Sequence, residues 1–247
     1  MQASFGADRP ALGARRHGGI IWALLLRELA TRYGRSNLGF LWLIGEPLLF
    51  CGGVLALWTV IKPPYEHGIR VIPFVLTGYM PIILVRHMIS HAVNCIRANG
   101  GLLYHRDITV IHLFVARLLL EFIGVTLGFL LVAVVLGLFG QVEVLAKPML
   151  VFAGWGLLAW IAFGLALIMG ALSEIYEVAE RFVALFTYIL VPVSGTFYMA
   201  AWLPEQYRQA ALYLPILHTV EMIRDGFLGD TVRTYYNPVY AMCWAPA

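Results

Sequence analysis

The sequence has little charge and almost no lysine. Charged residues make up only 13% of its 247 residues, while 61% are hydrophobic; soluble domains average roughly a quarter charged. The two lysines, Lys62 and Lys147, both stand in short segments between apolar runs. Because the apolar excess is continuous rather than periodic, the chain is predicted to be an integral membrane protein without a sizeable soluble domain.

Several motifs are also missing. The three cysteines, Cys51, Cys95 and Cys243, are scattered and odd in number, which supports neither a disulfide framework nor a zinc site. Neither lysine belongs to a G-x-x-x-x-G-K-[ST] phosphate loop, and no Ser-His-Asp or G-x-S-x-G arrangement is evident. If this protein takes part in energised transport, another chain must therefore bind the nucleotide.

The apolar runs predict five membrane spans, since roughly 20 apolar residues cross the bilayer core. They are expected near residues 38–61, 71–95, 108–139, 149–172 and 182–199. Before them, residues 18–35 are predicted to form an interfacial helix, because Trp22, Leu26, Leu29 and Tyr33 share one face and arginines share another. A polar loop at 97–107 is expected to hold a short helix, and an acidic loop is expected at 173–181.

The C-terminal part contains several helix breakers. Residues 200–236 are predicted to form one or two short periplasmic helices that re-enter the membrane or lie on its surface. Residues 237–247 start another apolar run that is too short to cross, so we expect a sixth span that is cut off here. The predicted fold is thus a single all-α membrane domain over 1–247, with 1–36 as an N-terminal segment and 37–199 holding five spans.

Arginine placement predicts the orientation. Six arginines precede the first span, and four more flank the loop after the second span, whereas residues 62–70 and 141–147 hold few cations. The positive-inside rule therefore places the N-terminus in the cytoplasm.

Two acids, Glu46 and Glu121, are predicted at or near membrane depth. An intramembrane acid is costly and is by default functional. The structural alternative is that each acid pairs with an arginine near the interface, such as Arg86 or Arg117.

Two histidines, His87 and His91, share one helix face at a spacing that can bind metal. Membrane di-iron oxygenases need several such boxes, and no second one is present, so no metal site is predicted. A membrane enzyme that uses these histidines with Glu121 stays open as an alternative. Separately, the Gly124-x-x-x-Gly128 spacing permits a close helix approach.

A series of short motifs occurs in a fixed order along most of the chain. They are Arg27-Glu28, Arg32-Tyr33, Leu38-Gly39-Phe40-Leu41-Trp42, Glu46-Pro47, Ala98-Asn99-x-Gly101-Leu102-Leu103, Ala116-Arg117-x-Leu119-Leu120-Glu121 and Pro215 to Glu221. This series resembles the permease subunit of ABC-2 type exporters, and most closely the permeases that export group 2 capsular polysaccharide across the bacterial inner membrane.

The resemblance implies a non-enzymatic subunit without a cofactor of its own. It implies a second copy as partner, with a pore between the copies, a cytoplasmic P-loop ATPase that binds ATP and Mg, a periplasmic copolymerase, membrane lipids and a lipid-linked polysaccharide substrate, with no nucleic acid. The ATPase would seat a coupling helix whose expected residues are Arg97, Asn99, Gly101, Leu102, Tyr104 and Arg106.

The resemblance also suggests where substrate binds. Arginines of the interfacial helix would meet the anionic lipid end, because arginine offers a permanently charged donor fork, and aromatic residues would line the pore. The expected substrate-binding residues are Arg27, Arg32, Tyr33, Arg35, Trp42, Glu46, Phe197, Tyr198 and Trp202. O-antigen, teichoic acid or a lipophilic drug as cargo, and a non-transporting scaffold, remain open.

Overall fold

The structure is a computed structural model that describes residues 9–33, 41–104, 107–141, 146–231 and 233–244. In these ranges the regular secondary structure is helical apart from one short hairpin, which confirms the predicted all-α class. The helices are α1 (Arg9–Tyr33), α2 (Trp42–Ile61), α3 (Val71–Ala92), α4 (Cys95–Asn99), α5 (Val110–Leu138), α6 (Pro148–Ile175), α7 (Glu177–Val193), α8 (Glu205–Ala211), α9 (Pro215–Leu228) and α10 (Pro238–Cys243).

Four helices in the described ranges, α2, α3, α5 and α6, are long and apolar enough to cross a membrane. The predicted fifth span corresponds to α7, which starts at Glu177 and has only 17 residues. It ends at Val193 because Gly195 adopts a positive φ of 81° and turns the chain away. By length alone, α7 falls short of the roughly 20 residues that a perpendicular span needs.

The predicted acidic loop at 173–181 is wrong. Helix α6 continues to Ile175 and α7 starts at Glu177, so only Tyr176 separates them. The acids of this region are held by neighbours instead: Asn94 donates to Glu180 at 2.6 Å and Arg97 lies 3.5 Å from Glu174. Because these carboxylates have partners, the helices can extend through the polar stretch.

Helix α3 is the centre of the fold. It packs against α2, α5, α6, α7 and α9, and 78% of its most apolar 18-residue window is buried, compared with 17% for α2. A short antiparallel hairpin, β1 (Tyr65–Glu66) and β2 (Ile69–Arg70), connects these two helices. The central helix is thus held from every side, whereas α2 lies at the edge with most of its surface uncovered.

The one covered face of α2 lies against two glycines of α5. A Cβ at Gly124 would lie 3.0 Å from the Leu43 carbonyl oxygen, and one at Gly128 would lie 3.4 Å from Pro47. Only a residue without a side chain permits this approach at Gly124. The predicted close helix contact at these glycines is therefore confirmed, and α2 is the partner.

Helix α1 starts earlier than predicted and packs along α5. Leu24 and Leu25 are buried in this contact, while Trp22 and Leu26 stay exposed. The helix therefore has a protein-facing side and a separate apolar side open to the surroundings, as an interfacial helix requires.

The C-terminal part holds the short helices predicted for 200–236. Helix α9 is almost completely buried between α6 and α3, with α10 against it. Helix α8 lies outside them and has no buried residue.

Candidate functional site

A group of charged side chains joins α1 to α3 and α5. We call Glu28, Arg32, His87, His91, Arg117 and Glu121 the α1 cluster. Arg32 of α1 donates from Nε to Glu28 at 3.0 Å and from Nη1 to Glu121 Oε1. Arg117 of α5 lies 3.5 Å from the same Glu28 carboxylate. Two acids and two arginines therefore alternate across the α1–α5 contact.

The acid Glu121 is the most enclosed member of this cluster. Its side chain is 3% exposed, and besides Arg32 it faces His87 Nδ1 and His91 Nε2, each at 3.5 Å. The sequence suggested an arginine near the interface, such as Arg86 or Arg117, as the partner of Glu121. The arginine that pairs with Glu121 is Arg32 instead. Arg32 supplies the charge from α1, because Arg117 turns towards Glu28.

His87, His91 and Glu121 also have the composition of a metal site. Their three ligand atoms lie within 4.8 Å of one another, and two imidazoles with one carboxylate suit zinc. The guanidinium of Arg32 already binds this carboxylate, however, and provides the positive charge that a dication would otherwise supply. The geometry therefore fits an ion-paired helix junction better than a metal enzyme.

The predicted coupling segment lies beside this cluster. It consists of α4 and a 3₁₀ turn over Gly100–Tyr104. Asn99 is buried and accepts a 2.9 Å hydrogen bond from Arg27 of α1, and Arg97 donates to the Ser173 carbonyl at 3.1 Å. The segment is thus attached to both α1 and the end of α6.

The outer surface of this segment is available for contact. Tyr104 is 91% exposed, Gly101 is exposed, and Leu102 is half-buried against the core. Arg106, the last of the expected coupling residues, lies outside the described residues.

The predicted substrate-binding residues that the structure describes lie in several separate places. Arg27 and Arg32 are engaged with Asn99 and with the α1 cluster, and Trp42 is exposed at the start of α2. Arg35 and the side chain of Tyr33 lie outside the described part of the chain. Glu46 is half-buried and lines a cavity described below.

The three other aromatic residues lie at the far end of α2. Phe197 stacks on Trp58 with a ring separation of 5.4 Å, and Trp202 stacks on His67 at 4.5 Å. Tyr198 donates to the Val193 carbonyl at 2.9 Å. About 16 residues of helix separate Trp42 from Trp58, or roughly 24 Å at 1.5 Å per residue. These aromatic residues therefore lie at the two ends of α2 and do not line a single wall of a pore within one chain.

A second buried ion pair, Glu221 with Arg224, lies inside α9, and we call it the α9 pair. Both side chains are fully buried, with 3.6 Å between Oε1 and Nη1. Burial lowers the pKa of Arg224 to about 10, and the Glu221 carboxylate opposes this shift. Burial raises the pKa of Glu221, while Arg224 acts in the opposite direction.

Backbone groups hydrogen-bond to both members of this pair. Glu221 accepts from the amides of Ala200 and Tyr235, each at 3.2 Å, and Arg224 donates to the carbonyls of Tyr198 at 2.7 Å and Thr196 at 3.1 Å. The α9 pair is therefore hydrogen-bonded to the two irregular segments that precede and follow α9.

Sequence reasoning missed most of these pairings. The i,i+4 spacing of Glu28 and Arg32 signals a helix ion pair, but no local signal connects Arg32 to Glu121 across 89 residues. Arg86 was noted only for topology and as a partner for an acid, although it lines the same cavity as Glu46.

The fold and site together describe a helical membrane protein whose helices are joined by buried and half-buried ion pairs. The sequence model of the ABC-2 type transporter family matches residues 20–228, and the chain belongs to this family.

Curated relatives match along nearly the whole chain. It is 36% identical over 223 residues to the capsule polysaccharide export inner-membrane protein CtrC of Neisseria meningitidis, covering 90% of this chain and 84% of that protein. It is 38% identical over 218 residues to the capsule polysaccharide export inner-membrane protein BexB of Haemophilus influenzae, covering 88% and 82%. The polysialic acid transport protein KpsM of Escherichia coli is 25% identical over 224 residues, with 89% and 87% covered.

These matches confirm the family resemblance inferred from the motifs. The inner-membrane names of two relatives, together with the four apolar helices, also confirm the predicted localisation.

Proposed function

We propose that this chain is the permease subunit of an exporter that moves lipid-linked capsular polysaccharide across the bacterial inner membrane. The observation that carries this proposal is the 36–38% identity, along about nine tenths of the chain, to two capsule polysaccharide export proteins. The sequence has no phosphate loop, so a separate P-loop ATPase supplies ATP hydrolysis.

A second copy of the chain completes the pore. In support, α2 is long and apolar but only 17% of its most apolar window is buried, which leaves a surface for a partner as well as for lipid. The N-terminus lies on the cytoplasmic side, as the arginine distribution favours. A periplasmic copolymerase then receives the polymer beside α8–α10.

The cytoplasmic segment with α4 transmits the ATPase movement. Tyr104 and Gly101 face outward for the ATPase groove. The Arg27–Asn99 and Arg97–Ser173 hydrogen bonds connect this segment to α1 and α6. When the ATPase pair closes, the segment moves α1, whose arginines meet the anionic lipid end of the substrate.

The test is co-purification of tagged protein in mild detergent from its native membrane, combined with staining of surface polymer. Wild-type protein brings down a stoichiometric ATPase. Tyr104→Ala loses both the ATPase and surface polymer, whereas Tyr65→Ala, at an exposed tyrosine of the β1–β2 hairpin, keeps both. A wild-type chain that purifies without any nucleotide-binding partner contradicts the proposal.

A further inference from the structure

A polar cavity of 260 Å³ lies between α2 and α3. Its lining residues combine charged, hydroxyl and aromatic groups. They are Glu46 and Phe50 of α2 and Tyr79, Ile83, Arg86, His87, Ser90 and His91 of α3. Drug-sized ligand pockets span roughly 300–1,000 Å³, so this cavity suits one small polar unit.

Arg86 in this cavity forms no ion pair with any acid in the described part of the chain. Its Nε is buried and has no hydrogen-bond partner among those residues. Among the described residues, the interaction of its guanidinium is with the Tyr188 ring, whose centroid lies 4.8 Å away. A buried donor without a partner is costly, and a persistent one calls for an explanation such as a missing ligand.

Glu46 stands on the facing wall and makes no direct ion pair with Arg86. It is half-buried on α2, and among the described residues no ion pair joins the two side chains. The neighbouring histidines face Glu121 of the α1 cluster. One cation and one acid on opposite walls therefore remain available to the same ligand.

This combination matches an acidic sugar. The planar guanidinium of Arg86 suits a carboxylate or phosphate. Glu46 accepts hydrogen bonds from sugar hydroxyls, Tyr79 and Ser90 offer hydroxyl groups, and Phe50 offers an apolar surface for the ring. We propose that the Arg86 cavity is a subsite for one anionic sugar unit of the exported polymer. This inference rests on the proposed function and adds the chemical class of the cargo.

Binding to the full chain in phosphatidylcholine nanodiscs tests the subsite by calorimetry. The probes are a short sialic acid oligomer, a phosphodiester-linked oligosaccharide, and a neutral maltooligosaccharide of equal length. We expect wild-type protein to prefer an acidic probe. Arg86→Gln weakens that binding about tenfold or more, as expected for loss of a charge-assisted hydrogen bond. The matched control is Arg70→Gln, at the other end of α3, whose arginine bonds Tyr65 and the Gly140 carbonyl.

A melting measurement separates ligand binding from a structural role. Among the described residues Arg86 has no acid to lose, so Arg86→Gln should change the melting temperature of the ligand-free protein little, by the loss of the contact with the Tyr188 ring alone. A lower melting temperature, with unchanged affinity for the acidic probe, assigns Arg86 to the fold and overturns the subsite.

The remaining outcomes are equally decisive. Equal affinity for neutral and acidic probes overturns the anionic preference but leaves polysaccharide export intact. If phosphatidylglycerol in the nanodisc abolishes the Arg86-dependent binding, the cavity holds a lipid headgroup and the proposal fails. Absence of any glycan binding by the wild type counts against the subsite and the proposed function together.

Discussion

The α1 cluster and the α9 pair are both ionic, but they are built differently. In the α9 pair both side chains are completely buried, and backbone groups supply most of their hydrogen bonds. In the α1 cluster the side chains of Glu28 and Arg32 keep 13% and 18% of their surface, and the partners come from three helices. A fully buried pair that is held by backbone groups is restricted to one geometry, whereas a partly solvent-exposed network of side chains can rearrange. We therefore expect α9 to stay fixed and α1 to be the part that can move.

The largest effect is expected at the α9 pair. Arg224→Met leaves Glu221 buried without its cation, and we expect the free energy of unfolding in detergent to fall by about 3–5 kcal/mol. The double variant Glu221→Gln with Arg224→Met removes both charges and regains a large part of that loss. If the single variant is no less stable than the double one, the α9 pair is not the fixed element.

The next effect is functional rather than structural. Arg32→Ala removes the bonds to Glu28 and Glu121. We expect surface polymer to fall by about tenfold or more, since a charge-assisted hydrogen bond contributes roughly 1.5–3 kcal/mol, while the chain still inserts. Arg16→Ala, which breaks an exposed pair with Asp107, is the control and exports normally. Normal export by Arg32→Ala would show that α1 does not need this junction.

A smaller effect is expected within the same cluster at Glu28. Glu28→Gln keeps an acceptor for Arg32 but removes the charge shared with Arg117. We expect Glu28→Gln to lower the free energy of unfolding by about 0.5–1.5 kcal/mol. The same measurement on Glu121→Gln should show a greater loss, because Glu121 is more enclosed. A greater loss for Glu28→Gln would contradict this prediction.

The smallest effect is a pH dependence near α9. His218 donates from Nε2 to the Leu212 carbonyl at 2.7 Å and accepts from the Asn237 amide at 3.0 Å, which defines a neutral imidazole. Burial lowers its pKa, opposed by the Leu212 hydrogen bond. The folded state therefore binds this proton less well than the unfolded state, whose histidine has a pKa of about 6.5. Its stabilising contribution is present above that value and is lost as the pH falls through the lowered pKa.

Thermal unfolding between pH 8 and pH 5 checks this dependence. His218→Gln keeps a donor and an acceptor but cannot titrate, so its stability should vary less with pH than that of the wild type. An equal pH dependence in both proteins would remove His218 as the cause.

The sequence predicted the parts that depend on local pattern. Continuous apolar runs located α2, α3, α5 and α6, and the spacing of Gly124 and Gly128 indicated a close helix contact. The end of α7 was misplaced because residues up to Met199 are apolar, while the structure ends the helix before Gly195. The acidic loop was wrong because charge density suggested exposure, although Asn94 and Arg97 hold the acids beside two continuing helices.

The candidate site was only partly predictable for a physical reason. Which acid pairs with which arginine depends on how α1 lies against α5, and no local spacing encodes that position. Arg32 was expected to meet substrate, and its role there stays a prediction, since the structure engages it with Glu28 and Glu121. The burial of the Arg86 Nε without a hydrogen-bond partner among the described residues likewise has no local sequence signal.

The single residue between α6 and α7 has a consequence for how chain length can vary. An insertion beside Tyr176 would rotate and shift α7, and it would separate Glu180 from Asn94. The turn at His67 and Gly68, by contrast, is exposed and tolerates added residues at little cost. Length differences among related permeases should therefore accumulate in the α2–α3 hairpin, while the α6–α7 junction keeps its length.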